Sequence, residues 1–413
     1  MKIASMLVLL ALLLGGTAFA TDGYFTIGCG TKQVGQGGAA VAFPQDSLAG
    51  GINPAGMVLV GDRFDLGVTL FRPIRSGSIT GSAAPVNGAY DANRLTNFFL
   101  PELGFNHLAN SHLSLGVSIC GNGGMDTSYT TPIPLLGNSR AGVDLEQMFV
   151  SPTVAFKLTE HQALGIAANV AWQRFSALGL ENFTQPGFSI DPANLTNRGF
   201  NESYGGGFRV GWVGEFGSIL NLGATFQSRT YMQKFDKYRG LFAEQGGFDI
   251  PANVAGGVAL KPTRKATVTL DIERIFYGQV KSIANLDSNP APLGANNGPG
   301  FGWHDITAVK TGLNYKVTSS LTLRGGYNHS GVPFDSSQTF FNLLAPAVVQ
   351  HHLTAGATLA LSNGKEVNVA YQHAFQHTVE GVNSIPPAFG GGEANLQMYQ
   401  NAIGVSFGWG GKE

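Results

Sequence analysis

Charge is scarce in this sequence. Only 12% of its 413 residues are Asp, Glu, Lys or Arg, about half the usual share of a soluble domain. What charge exists is balanced, with 25 Lys and Arg against 26 Asp and Glu. No basic excess is present to displace counterions from a polyanion, which excludes nucleic acid as a partner. Beyond the first twenty residues no apolar run is long enough to cross a membrane as a helix. Recognisable catalytic and phosphate-binding patterns are missing too: there is no G-x-S-x-G, H-E-x-x-H or P-loop. Cysteine is reduced to two copies, Cys29 and Cys120.

Glycine and phenylalanine are abundant instead, at 58 and 28 residues, and mean hydropathy is +0.07. Low charge, many glycines and aromatics, and no spanning helix fit a transmembrane β-barrel. Half of each barrel strand faces lipid and half a polar lumen, so mean hydropathy stays near zero. Strict alternation supports this. In Ala266–Glu273 the even positions are apolar and the odd ones are Thr, Thr, Asp and Glu, as two faces of one strand require. Leu164–Gln173, Leu321–Asn328 and Ala402–Trp409 repeat the pattern. Short turns at 107–111, 159–162, 262–265, 318–320 and 362–365 alternate with long links at 74–96, 121–143, 178–201, 236–247, 281–303, 332–348 and 378–396. This predicts an all-β, antiparallel barrel of about fourteen strands, short turns periplasmic, with both ends on that side. Phe71, Phe98, Phe99, Phe149, Trp172, Trp212, Phe276, Tyr277, Trp303, Tyr371 and Trp409 are expected in the interfacial girdles. A soluble β-sandwich would carry charged residues on its exposed face, whereas here the polar face is often Gly, Ala, Ser, Thr or Asn and the other face is large and aliphatic or aromatic.

Residues 1–20 read as an export signal: Lys2, an apolar core from Met6 to Leu14, and Ala18-Phe19-Ala20 for cleavage. Residues 21–60 do not alternate and are dense in Gly and Pro, which predicts a plug inside the lumen of a barrel spanning 61–413. In an oxidising compartment Cys29 and Cys120 can pair, but sequence leaves open whether their backbones approach.

Other patterns are weak. Gly35-Gln36-Gly37-Gly38-Ala39-Ala40 matches a dinucleotide fingerprint only nominally, because no strand precedes it and Pro44 follows. His373 and His377 would share a strand face, with no third ligand; no metal and no cofactor are expected. On inward positions, Arg209, Arg229, Lys310 and Arg324 either tie the plug to the wall or hold an anionic head group.

The stretch GCGTKQVGQGGAAVAFPQDSLAGGINPAGM resembles the N-terminal hatch of the FadL/TodX family of outer-membrane transporters, with Asp46, Asn53, Pro54, Ala55 and Gly56 at the matching positions. FDIPANVAGGVALKPTRKATVTLDIERIFYGQV and WHDITAVKTGLNYKVTSSLTLRGGYNHSGVPFD resemble strand pairs of the same family. The resemblance implies a Gram-negative outer-membrane location and a fourteen-stranded barrel, monomeric and surrounded by outer-membrane lipid. It implies uptake of long-chain fatty acids or hydrocarbons without catalysis. Passage would be lateral, through a kinked third strand near Leu113–Cys120, with the opening at Gly121, Gly123 and Gly124. A bridge between Cys29 and Cys120 would then tie hatch to kink. A general porin and an outer-membrane lipid hydrolase are the alternatives. The chain runs past its last aromatic residue, so the assembly signal is expected at Phe407 or Trp409.

Overall fold

The computed structural model describes residues 21–410. The expected signal peptide and the last three residues lie outside them. Fourteen long strands form the wall: β1 (Arg63–Thr80), β2 (Phe98–Asn110), β3 (Leu113–Ser128), β4 (Gly142–Thr159), β5 (Gln162–Leu178), β6 (Asn201–Phe216), β7 (Leu220–Gln227), β8 (Asn253–Thr263), β9 (Ala266–Ile275), β10 (Ile306–Lys316), β11 (Leu321–Ser330), β12 (His351–Ala360), β13 (Lys365–Val379) and β14 (Glu393–Gly410). Neighbours in sequence pair antiparallel, and β14 pairs with β1 from Arg63↔Gly410 to Thr80↔Glu393, closing the barrel. Two short strands, Gly88–Asp91 and Tyr231–Met232, add to β1 and β6. Closure matters because lipid offers no partner to an unpaired backbone edge.

Alternation sets the faces. On β9, Val268, Leu270 and Ile272 are exposed while Thr269 and Asp271 are buried. On β14, Ile403, Val405, Phe407 and Trp409 face outward. The five expected short turns join strand pairs, and a sixth at Gly217–Ile219 joins β6 to β7. Several strands run further than expected. Above Ile74 the outward residues of β1 become Ser76, Ser78 and Thr80, so hydrophobic alternation stops although the ladder continues to Glu393. Five of the expected girdle aromatics depart from that placement: Phe71 and Phe98 occupy inward positions of their strands, and Phe149, Tyr277 and Trp303 are buried to 5% exposure or less. Tyr24 packs against two of them, with ring centroids 5.2 Å from Tyr277 and 5.9 Å from Trp303.

Residues 21–60 lie within the barrel and carry short helical turns at Thr31–Val34, Ser47–Gly51 and Pro54–Leu59. The first turn packs on β12 and β13, the second on β2 and β3, the third on β4, β5 and β6. Glycines of the wall make room for them. A Cβ on Gly165 would meet the backbone of Pro54 and Ala55, and one on Gly326 would meet Gln36 and Gly37. The nominal fingerprint is part of this contact: the Gly37 amide donates to Thr354 Oγ1 at 2.8 Å.

Candidate functional site

The ladder between β2 and β3 stops early. It runs from Asn110↔Leu113 to Glu102↔Cys120 and no further. Beyond that level β2 continues to Phe98 beside β1 only. β3 continues from Gly121 to Ser128 beside β4 only, through a bulge that leaves Asn122 between Gly121↔Met148 and Gly123↔Gln147. The third strand therefore does not end at Cys120, as the sequence suggests. It kinks there, and one of its edges loses its neighbour strand.

A cavity of about 440 Å³ lies at this interruption. Phe71, Met398 and Ala402 line it from inward-facing positions, and Phe99, Met148 and Trp172 from outward-facing ones. The cavity thus has lining residues on both faces of the sheet, and Phe99 among them is 70% exposed. Residues Ala345–Ala347 of the β11–β12 loop roof it.

The free edge of β3 carries polar groups that lipid cannot satisfy. Each level has its own partner. Thr26 donates its amide to the Asn122 carbonyl at 3.0 Å, and Gly124 donates to the Tyr24 carbonyl at 3.1 Å. Higher up, Arg75 Nη1 donates to the Asp126 carbonyl and to Asp126 Oδ1, the latter at 2.6 Å. At the top, the Ser128 amide donates to Ala92 and its carbonyl accepts from Arg94.

The three glycines at the kink differ in role. A Cβ on Gly121 would meet nothing nearer than Leu100 Cδ2 at 3.6 Å. A Cβ on Gly123 would overlap the Tyr24 carbonyl, and one on Gly124 the Leu145 carbonyl. Cys120 is bonded to Cys29, with Cα atoms 5.8 Å apart, so the lumenal segment is covalently fixed to β3 at the base of the interruption.

In the lumenal segment Asp46 caps the Ser47–Gly51 turn, accepting from the Leu48 amide at 3.1 Å. Asn53 caps the Pro54–Leu59 turn and donates Nδ2 to the carbonyls of Val41 at 2.8 Å and Trp212 at 2.9 Å. Pro54 takes the first helical position, where its missing N–H costs nothing. Ala55 is fully buried, and a Cβ on Gly56 would strike Pro44 at 2.6 Å.

None of the four basic residues singled out in the sequence lines the large cavity. Lys310 pairs with Asp22 at 2.9 Å and Glu273 at 2.7 Å. Arg209 donates to the Ile52 carbonyl at 2.9 Å, and Arg324 to Gln45 Oε1 at 3.0 Å. All three hold the lumenal segment. Arg229 lies past the end of β7 and pairs with Asp249 at 2.8 Å. The basic residue that does line the cavity is Arg75. Sequence reading missed it because position 75 falls in a stretch taken for a loop.

His373 and His377 do not share a face. A bulge between Ala374 and His377 pairs His373 with outward Asn401 and His377 with inward Met398. Among the described residues no cluster could hold a metal ion.

Comparison with known proteins adds the following. The family described as "Outer membrane protein transport protein (OMPP1/FadL/TodX)" matches residues 18–406. Among solved structures, the toluene transporter TodX of P. putida superposes with a TM-score of 0.72 at 17% identity, covering 94% of this chain and 99% of its own. A FadL homologue of Pseudomonas aeruginosa gives 0.70 at 15% identity over 94% and 98%. The toluene transporter TbuX of Ralstonia pickettii gives 0.65 at 16% identity over 93% and 99%. At these identities the structures speak for the fold. A search of curated proteins by sequence found no match.

Proposed function

The chain belongs to the outer membrane protein transport family (OMPP1/FadL/TodX), and from that premise we propose that it takes up neutral hydrophobic molecules laterally, through its wall. One observation carries this reading: a cavity lined by Phe71, Phe99, Leu100, Met125, Met148 and Trp172 reaches from lumenal to lipid-facing positions of the sheet. An apolar molecule that enters it from the roofed side gains burial. It then leaves between Phe98–Pro101 and Gly121–Gly124 into hydrocarbon, without crossing the filled lumen. The residues 21–60 act as a hatch that blocks the straight path.

The charges on the cavity wall favour a neutral ligand over a carboxylate. Arg75 is its one formal cation, already paired with Asp126, and Glu102, Asp144 and Glu146 line it as well. An incoming carboxylate would meet no free cation and several acids.

Uptake of radiolabelled toluene and of a radiolabelled fatty acid is measured in an outer-membrane transport deletion strain carrying this chain. Toluene uptake is expected to depend on the chain at least ten-fold more strongly than fatty-acid uptake. Equal dependence for the two would overturn the neutral-ligand reading, and no dependence for either would overturn the transport reading.

A further inference from the structure

Arg75 stands where the wall has no strand. It belongs to β1 and faces inward, yet its guanidinium reaches β3, which is two strands away where the ladder is complete. Nη1 binds the Asp126 carboxylate at 2.6 Å and the Asp126 carbonyl, and Nη2 binds the carbonyl of Leu95. The Arg75 side chain is 1% exposed and that of Asp126 9%. Asn93 Oδ1 accepts from the Arg75 amide at 2.7 Å, so the backbone on either side of the contact is held as well. The Arg75 guanidinium carbon also sits 6.0 Å from the centroid of Phe98, where β2 ends.

We propose that Arg75 replaces the missing stretch of β2: its guanidinium clamps the free edge of β3 at Asp126 and so sets the upper rim of the wall opening. A planar guanidinium reaches acceptors on two sides from two nitrogens, whereas an ammonium presents its three donors from a single point. Tyr24–Thr26 hold the β3 edge at Asn122 and Gly124, and residues 92–94 hold it at Ser128. Between Gly124 and Ser128, about 13 Å of strand, the clamp supplies the contact at Asp126. The pair is therefore a size-determining element, and the prediction concerns which neutral ligands pass.

This inference rests on the lateral route, so its test includes a control for that route. Uptake of toluene and of pyrene, a wider neutral ring system, is measured for the parent, Arg75→Met, Asp126→Asn and Arg75→Lys in the deletion strain. The pyrene-to-toluene ratio is expected to rise more than three-fold in Arg75→Met and to rise less in Asp126→Asn, which keeps the carbonyl contacts. Arg75→Lys, which keeps an ion pair, should give a smaller rise than Arg75→Met. Heat-modifiable electrophoretic mobility reports assembly, and Asp126→Asn remains informative if Arg75→Met does not assemble. A ratio in assembled Arg75→Met within three-fold of the parent overturns the clamp; if only Asp126→Asn assembles, an unchanged ratio there does so. The control is Gly121→Trp: parental toluene uptake in that variant overturns the lateral route itself, whatever the ratio.

Discussion

Single residues at the kink carry separable tasks. Gly123 lets the Tyr24 carbonyl approach the β3 edge, and a methyl group there would occupy the same space. Gly123→Ala is expected to release Tyr24–Thr26 from the edge. Hydrogen exchange at the amides of Thr26 and Gly124 would then speed up at least ten-fold, whereas Gly121→Ala should leave both rates as they are. Asn53 serves three groups at once, capping one turn and binding two carbonyls. Asn53→Ala should weaken the hatch locally by about 1–3 kcal/mol. Toluene uptake should fall at least three-fold in barrels that still show heat-modifiable mobility; parental uptake would make the motif a tolerant linker. The importance of Asn53 was legible only through the hatch resemblance, since Asn-Pro by itself marks any turn. Arg75 was not, because its importance depends on which strand is missing beside it, and that is a property of register.

At the level of elements, the hatch is bound to the wall by ion pairs, by close glycine contacts and by one covalent bond. The Cys29–Cys120 bridge spans a sequence separation of 91 residues, for which chain-entropy reasoning gives about 4–5 kcal/mol. The Cys29→Ala/Cys120→Ala variant is expected to assemble but to unfold at lower denaturant concentration, and non-reducing mass spectrometry of the parent should find the linked peptides. Free thiols at both positions in the native protein would contradict this. The strands were legible wherever an apolar outward face meets lipid, as on β9 and β14, since that contrast imposes a period of two. Their upper ends were not, because Ser76, Ser78 and Thr80 keep the ladder while losing the contrast. The bulge at Phe375 and Gln376 was equally hidden. It moves His377 to the lumen side although the spacing from His373 suggests a shared face.

For the whole molecule, a filled lumen and a pierced wall are complementary. The segment 21–60 packs against strands on several sides of the barrel. In planar bilayers the intact chain is expected to conduct little, and a chain without residues 21–60 is expected to conduct as an open pore. High conductance of the intact chain would favour a general porin. The central claim is that the ligand leaves through the wall at Gly121, where an added Cβ would approach no atom closer than 3.6 Å. The most direct measurement is therefore toluene uptake by assembled Gly121→Trp barrels. A fall of at least ten-fold at unchanged barrel content is expected; uptake at the parental rate would contradict exit through the wall.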